Sequence, residues 1–510
     1  MSRSARTLLT FVSGTGMAVV LTAVNFVTLP FVLRHLGDAR FGIFRSLLDW
    51  FGWLALLDLG VGSSLGPLYA RVLGRGDAAG VVRVAHAGLA AFARVTVVVA
   101  AAAVVLGALM PRLVQAPAEL EVEVYAACAV LLLGVLLLPL NAFRSLAEAG
   151  QRGFVVNAAV AVGGVLVAGL SVAAAYSGAG LVGQSLATVV AAAAVLLLLA
   201  RDGLRQYPAI RREPFSPDPG VRAEFRAVQW PWLAFNVAGR LGVLSHNILI
   251  AGLLGPTAAT VFFLTHRLTS LAHGQLLGVG AASWAALADL YHRGETARFA
   301  ARTEFLTRLL STLGLGLLIP VGVWNHATIG LWVGPERYGG AAVTWPAVTL
   351  AWVQALVALW SWPLTVLAPV RRLVPGMIVA TVVNLILSVA VTLTVGLPGP
   401  VVGAAVAQTA LAFGWLPVLL RRELGLDPRT LRRAALEPLA LAVGYGGALL
   451  ALAECVAPFD PAWPRSAQWL ALAGCHVAGA VGYLVLAWAV ILPAADRREF
   501  RQTARRVVRR

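Results

Sequence analysis

Apolar stretches of about 20 residues recur from one end of this chain to the other, and short polar connections separate them. A helix of about 20 apolar residues is long enough to cross the ~30 Å hydrocarbon core of a bilayer. The pattern therefore predicts an all-α, polytopic membrane protein with about fourteen transmembrane helices. The predicted spans are residues 8–33, 43–68, 85–110, 122–143, 154–176, 181–200, 230–254, 257–282, 304–330, 341–367, 374–396, 400–420, 437–457 and 468–492.

The arginines are distributed unevenly over the connections between these spans. The chain has a net charge of +17 and 59% apolar residues, and its arginines cluster in every second connection and in the C-terminal tail. This asymmetry is the positive-inside pattern of membrane proteins, so the charge indicates topology and no nucleic-acid partner is expected. It predicts that both termini are cytoplasmic, in agreement with an even number of spans.

The longest polar connection, residues 201–229, is rich in proline and is predicted to be a cytoplasmic linker. It divides the first twelve spans into two groups of six. We therefore predict an N-terminal lobe over residues 1–200 and a C-terminal lobe over residues 230–420. Two extra spans follow within residues 421–492, and residues 493–510 are predicted to form a basic cytoplasmic tail.

An internal repeat supports this division. Leu36–Gly37 recurs as Leu254–Gly255, and Arg75–Asp77 recurs as Arg293–Glu295, in both cases 218 residues later. Because the copies lie six spans apart, they run in the same direction through the membrane. The repeat predicts two six-helix lobes related by a pseudo-two-fold axis along the membrane normal, with a cavity between them.

Two predicted spans contain an arginine near their middle, Arg240 and Arg267. A charge ~15 Å inside the hydrocarbon core costs at least ~2.5 kcal/mol unless it faces water or a partner. The two arginines are therefore candidates for binding an anionic substrate, and neutralisation by carboxylates or helix C-termini is the structural alternative. The other candidate cavity residues are polar side chains of the same two spans and of the N-terminal lobe: Asn236, Asn247, His266, His273, Asn25 and Arg94.

Two intramembrane carboxylates, Asp49 and Asp58, are candidates for ion coupling. Asp49 alternatively pairs with Arg45 one helical turn earlier, and Asp58 alternatively makes a helix–helix hydrogen bond. The chain contains no metal-binding, nucleotide-binding or convincing nucleophile motif. We therefore expect no catalytic residue, no metal and no cofactor, and a protein that is not an enzyme.

Short motifs of glycine, proline and polar residues mark the ends of several spans. In the first lobe these are Asn25-x4-Pro30, Leu36-Gly37-x3-Phe41-Gly42, Leu57-Asp58-Leu59-Gly60 and Arg75-Gly76-Asp77. In the second copy they are Leu253-Leu254-Gly255-Pro256 and Arg293-Gly294-Glu295. A small-residue motif recurs in both lobes, as Gly180-x2-Gly183-x3-Ala187 and as Gly399-x3-Gly403-x3-Ala407. Together they resemble the bacterial polysaccharide-repeat-unit flippases of the multidrug/oligosaccharidyl-lipid/polysaccharide exporter superfamily.

The resemblance implies a transporter of the bacterial inner (plasma) membrane that works by alternating access. Its cargo would be an undecaprenyl-pyrophosphate-linked oligosaccharide for O-antigen, lipopolysaccharide or exopolysaccharide synthesis. The implied partners are this substrate, membrane lipids, and the polysaccharide polymerase and glycosyltransferases. The chain departs from lipid II flippases because its first span has no arginine cluster, which argues against lipid II as cargo.

Two other functions fit parts of the pattern. A multidrug or small-molecule exporter of the same superfamily would have twelve spans and a cavity suited to cations. A membrane glycosyltransferase or polymerase would need large outward-facing loops with catalytic residues, and the outward-facing connections here are short.

Overall fold

The structure, a computed structural model, describes residues 3–56, 61–216, 220, 223, 246–367, 372–455 and 462–491. Within these ranges the chain is almost entirely α-helical and contains no β-strand. Eleven of the described helical segments are long and apolar enough to cross a membrane. The prediction of an all-α, polytopic membrane protein is therefore confirmed.

The chain divides into two compact units, of which the first covers Met1–Thr260. Its main packing pairs are α1 with α7, α7 with α8, α5 with α8, and α3 with α4 and α6. Buried aromatic and branched side chains such as Tyr69, Phe92 and Val99 fill the contact between α3 and α4. The described helices are α1 Arg3–Leu36, α2 Asp38–Leu56, α3 Val61–Gly74, α4 Ala78–Leu113, α5 Glu121–Val135, α6 Asn141–Ala149, α7 Gly153–Tyr176, α8 Gly180–Gln206, α9 Ala209–Arg212 and α10, of which residues 246–254 are described.

The second unit covers Val261–Arg510 and is built around α12. In the most apolar part of this helix 78% of the residues are buried, and it packs against α13, α17 and α18. Its helices are α11 Pro256–His292, which starts in the first unit, α12 Thr296–Trp332, α13 Ala341–Leu367, α14 Val374–Val395, α15 Gly399–Ala410, α16 Leu416–Leu424, α17 Pro428–Cys455 and α18 Arg465–Val490. The predicted boundaries of the lobes and of the tail stay predictions.

The helix boundaries repeat along the chain at the spacing that the sequence motifs have. The end of α1 and the end of α10, the start of α2 and the start of α11, and the start of α4 and the start of α12 are each 218 residues apart. The glycines between these helices adopt the left-handed backbone region in both copies, with φ of 80° at Gly37 and 90° at Gly255. Glycine reaches this region without steric cost and ends a helix there.

Most predicted spans coincide with single helices, and two differ in detail. The predicted span over residues 122–143 is α5 followed by a 3₁₀ turn, Leu138–Leu140, and then α6. Pro139 explains this break, because proline has no N–H to donate and disfavours a continuing α-helix. The predicted span over residues 400–420 contains a π-helical turn, Leu411–Trp415, between α15 and α16.

Four predicted spans extend outside the described residues: 43–68, where 57–60 are not described, 230–254, where 230–245 are not described, and 437–457 and 468–492 at their last one or two residues. The predicted span over residues 257–282 lies on the continuous helix α11, although the side chains of residues 279–286 are not described.

The small-residue motifs lie where two helices meet in tight hairpins. A Cβ atom added to Gly403 of α15 would lie 2.5 Å from the backbone nitrogen of Ser388 in α14. A Cβ added to Gly183 of α8 would lie 2.8 Å from the Cβ of Ala174 in α7. Neither contact leaves space for a side chain, which is the physical reason for glycine at both positions.

Replacement of Gly403 by leucine is expected to separate α14 from α15 and to destabilise the protein by about 1–3 kcal/mol. The matched control is Gly444→Leu in α17, where a Cβ would meet nothing within 4 Å. Membrane abundance and thermal melting of the two variants check this expectation. Equal abundance and melting would contradict the tight contact.

Reporter fusions test the predicted topology. Fusions at Gly150 and Gly220 are expected to report a cytoplasmic location, and fusions at Gln115, Arg337 and Arg465 a periplasmic location. Alkaline phosphatase and a fluorescent protein, fused at the same positions, give complementary signals. One inverted result between two agreeing neighbours would remove the predicted span between them.

Candidate functional site

Arg94 is an exposed arginine near the centre of a long membrane-spanning helix. It lies 16 residues after the start of α4 and 19 before its end, or about 24 and 28 Å along the axis. Its side chain makes no hydrogen bond or ion pair with any residue that the structure describes. A guanidinium at this depth is costly in lipid, so we expect it to face water, an anion or another polar group.

A second group of polar side chains forms in the first unit around Asp49 of α2. Asp49 is buried, and the side-chain nitrogen of Asn247 in α10 donates a hydrogen bond to its carboxylate at 2.7 Å. The guanidinium of Arg45 lies 3.7 Å from the same carboxylate. The side-chain oxygen of Asn247 is buried and accepts no hydrogen bond from the described residues. The carboxylate therefore has one strong hydrogen bond and one longer ion pair.

Close backbone packing sets the position of this group. A Cβ added to Gly42 of α2 would collide with the carbonyl group of Pro256, so only glycine allows this approach. The hydroxyl of Thr260 donates to the carbonyl of Asp38 at 2.7 Å, and the Gln115 amide donates to the carbonyl of Gly252 at 2.8 Å. These contacts hold the end of α10 and the start of α11 against α2 and the residue Gln115 that follows α4.

The predicted polar residues of the second unit lie on α11. Arg267 is half-buried, with its Cζ atom 5.5 Å from the centroid of the Phe263 ring, a cation–π geometry. The Nδ1 atom of His266 hydrogen-bonds the carbonyl of Phe262 at 2.8 Å, so this ring is held on its own helix. The Nε2 atom of His273 is buried and has no hydrogen-bond partner among the described residues.

One polar residue that sequence reasoning missed, Asn325, holds α11 in place. Asn325 is fully buried in α12, and its side-chain nitrogen donates to the carbonyl of Thr265 at 2.8 Å and to the hydroxyl of Thr344 at 3.0 Å. It follows Trp324, whose φ of −102° and ψ of 15° interrupt the helix four residues after Pro320. The available signal was an asparagine five residues after a proline within a mainly apolar stretch.

The remaining predicted site residues divide into two groups. Asn25 lies on α1, where its side-chain nitrogen donates to the carbonyl of Leu21 at 2.8 Å, a bond within its own helix. Three others lie outside the described residues: Asn236, Arg240 and Asp58. The structure thus brings Asp49 and Asn247 together and places His266, Arg267 and His273 on one helix.

Three solved structures of similar fold are transporters. The chain is similar to an inward-facing multidrug resistance MATE family transporter of the MOP superfamily, with a TM-score of 0.63 and 15% identity over 81% of this chain and 98% of that chain. It is similar to MATE in complex with MaD3S, with a TM-score of 0.61 and 17% identity over 83% of this chain and 96% of that chain. It is similar to the lipid II flippase MurJ in an inward closed conformation, with a TM-score of 0.65 and 10% identity over 92% of this chain and 99% of that chain.

No protein-family model matches the sequence, and no curated protein matches it. At these identities the three structures establish the fold. The chain has the fold of these transporters, and this likeness is consistent with the superfamily that the sequence motifs indicated. It is a multi-pass membrane protein whose structural neighbours are transporters and flippases and not enzymes.

Proposed function

We propose that this protein is a flippase of the bacterial inner membrane that moves an undecaprenyl-pyrophosphate-linked oligosaccharide to the outer leaflet. In this proposal the protein works by alternating access and has both termini in the cytoplasm. It delivers the oligosaccharide to a polysaccharide polymerase. Glycosyltransferases on the cytoplasmic side would assemble the cargo.

The observation that carries this proposal is the exposed guanidinium of Arg94 at the middle of α4. An exposed arginine in the cavity would weaken the binding of a cationic drug, because like charges repel in a medium of low dielectric constant. A pyrophosphate group needs such a cation, and a planar guanidinium can bind phosphate oxygens with two parallel hydrogen bonds. Arg94 therefore favours an anionic headgroup as cargo.

Arg267 supports the same conclusion from the second unit. It lies 11 residues after the start of α11, or about 17 Å along the helix. The Phe263 ring holds the Arg267 guanidinium by a cation–π contact. His273, whose buried Nε2 has no hydrogen-bond partner among the described residues, lies nearly two turns further along the same helix. In the proposal these side chains bind the sugar–pyrophosphate part of the cargo.

Reconstitution tests the proposal. The purified protein is placed in liposomes that contain a fluorescent undecaprenyl-pyrophosphate-linked oligosaccharide, and an impermeant quencher measures the fraction on the outer surface. We expect a larger fraction of the labelled oligosaccharide lipid to be accessible to the quencher in liposomes that contain the protein. The same liposomes without protein are the control. Movement of a cationic dye with no movement of the oligosaccharide would contradict the proposal.

The second candidate function is a multidrug or small-molecule exporter. The observation that favours it is Asp49, a buried carboxylate that accepts a hydrogen bond from Asn247 and could bind a cation or a proton. A cation-driven exporter needs such a group. Accumulation of cationic dyes in cells with and without the protein distinguishes this candidate, because the flippase proposal predicts equal accumulation.

A further inference from the structure

An open pocket of about 850 Å³ lies at one end of the second unit, away from the candidate cavity residues. It is formed near the start of α12, at the start of α17 and at the end of α18. The distribution of arginines predicts that these three helix ends are on the cytoplasmic side. The pocket is therefore at the level of lipid headgroups and not at the centre of the bilayer.

Three arginines and two glutamates line this pocket, so its charge is +1. Arg308 is buried and forms ion pairs with Glu304 at 2.8 Å and with Glu437 at 3.8 Å. Glu437 also accepts a hydrogen bond from Arg433 at 2.5 Å. The charges of Arg308 and Arg433 are thus balanced by the two glutamates, and Arg429 supplies the positive charge that remains.

Arg429, the third arginine, is exposed in the first turn of α17. Its guanidinium donates no hydrogen bond to the described residues, while its backbone N–H donates to Asp427 at 3.2 Å. This N–H and the Thr430 hydroxyl lower the pKa of Asp427, which therefore caps the helix as an anion. Because the cap already occupies the first N–H groups, an anion in the pocket must bind the guanidinium groups.

Arg429 and Arg433 are four residues apart, so they lie side by side on one face of α17. Deeper along the helix the lining becomes apolar, with Ala440 and Leu441 of α17 beside Val490 and Ile491 at the end of α18. The step from Arg433 to Ala440 is about 11 Å. This is the order of groups in a phospholipid, with a phosphate at the surface and an acyl chain below it. A small soluble anion would not need the apolar part.

We propose that this pocket binds an anionic phospholipid of the surrounding bilayer, with its phosphate on Arg429 and Arg433 and an acyl chain against Leu441 and Val490. The site is independent of the transported cargo. The lipid would join α17 to α18, beside the Arg308–Glu437 ion pair that joins α12 to α17.

The test is a titration of the purified full-length protein with phosphatidylglycerol, followed by native mass spectrometry, with phosphatidylcholine as the neutral lipid. In the Arg429→Gln/Arg433→Gln variant the affinity for phosphatidylglycerol is expected to fall by about 30-fold. The control variant Arg293→Gln/Arg298→Gln removes two exposed arginines from the same side, outside the pocket. It is expected to change the affinity by less than about twofold.

The single variant Arg429→Gln keeps the test valid if the double variant is unstable. The Arg429 guanidinium makes no hydrogen bond to the described residues, so its removal should not affect folding. Unchanged affinity in this variant, or an equal loss in the control, would overturn the proposal. Inorganic phosphate and undecaprenyl phosphate are added as competitors. Displacement by inorganic phosphate would indicate a small-anion site, and stronger binding of undecaprenyl phosphate would indicate a cargo site. Either result would overturn the assignment to a bilayer phospholipid.

Discussion

Alanine in place of Arg94 or Arg267 is expected to reduce transport of a lipid-linked oligosaccharide by about 10- to 100-fold, the value of one or two charge-assisted hydrogen bonds. The protein should remain folded, because the Arg94 side chain is exposed and the Arg267 side chain is only half-buried. Lysine at either position should restore transport only in part, since an ammonium group cannot form the two parallel bonds of a guanidinium. Transport and membrane abundance are measured together.

Arg308 is the control for this experiment because its guanidinium forms ion pairs within the protein. Alanine at this position leaves Glu304 and Glu437 without their buried partner, and we expect a loss of roughly 2 kcal/mol or more in stability, since both carboxylates are about one-third exposed. Membrane abundance should therefore fall together with transport. Normal transport by both the Arg94 and the Arg267 alanine variants would exclude them as substrate-binding residues. A parallel loss of abundance would assign them a structural role.

The fold could be predicted from the sequence because its main determinants are local. Apolar length determines which segments span the membrane, and glycine at positions such as Gly37 and Gly255 ends a helix whatever its neighbours are. The repeat reinforces both signals, since the same boundary occurs twice at one spacing. The 3₁₀ turn at Leu138–Leu140 was missed because Pro139 lies inside a continuous apolar stretch, where hydropathy alone gives no boundary.

The candidate site could be predicted only in part, because its geometry depends on contacts between distant segments. Asp49 and Arg45 are one helical turn apart, so the sequence could indicate their pairing as the alternative to ion coupling. The bond from Asn247 joins residues 198 positions apart, and no periodicity indicates it. Asn325 was missed for the same reason: its partners on α11 and α13 are 60 and 19 positions away in the sequence.

Asparagine in place of Asp49 is expected to abolish transport that depends on an ion or proton gradient, because it removes the negative charge and keeps the shape of the side chain. The Asn247 amide can still hydrogen-bond the new side chain, so packing against α10 should survive. We measure transport in liposomes with an imposed proton gradient, an imposed sodium gradient and no gradient. A coupling carboxylate predicts that the wild type responds to one gradient and that the variant responds to neither.

The double variant Arg45→Leu/Asp49→Leu separates coupling from a purely structural ion pair. Replacement of both members of a buried pair by apolar residues is often neutral for stability, whereas removal of one member leaves an unpaired charge that costs about 3–5 kcal/mol. If Asp49 only neutralises Arg45, the single variant should lose abundance, and the double variant should regain both abundance and transport. If Asp49 couples transport to an ion, the double variant should regain abundance and remain inactive, since no carboxylate is left to bind the ion. Recovery of gradient-driven transport in the double variant would therefore exclude Asp49 as the coupling group.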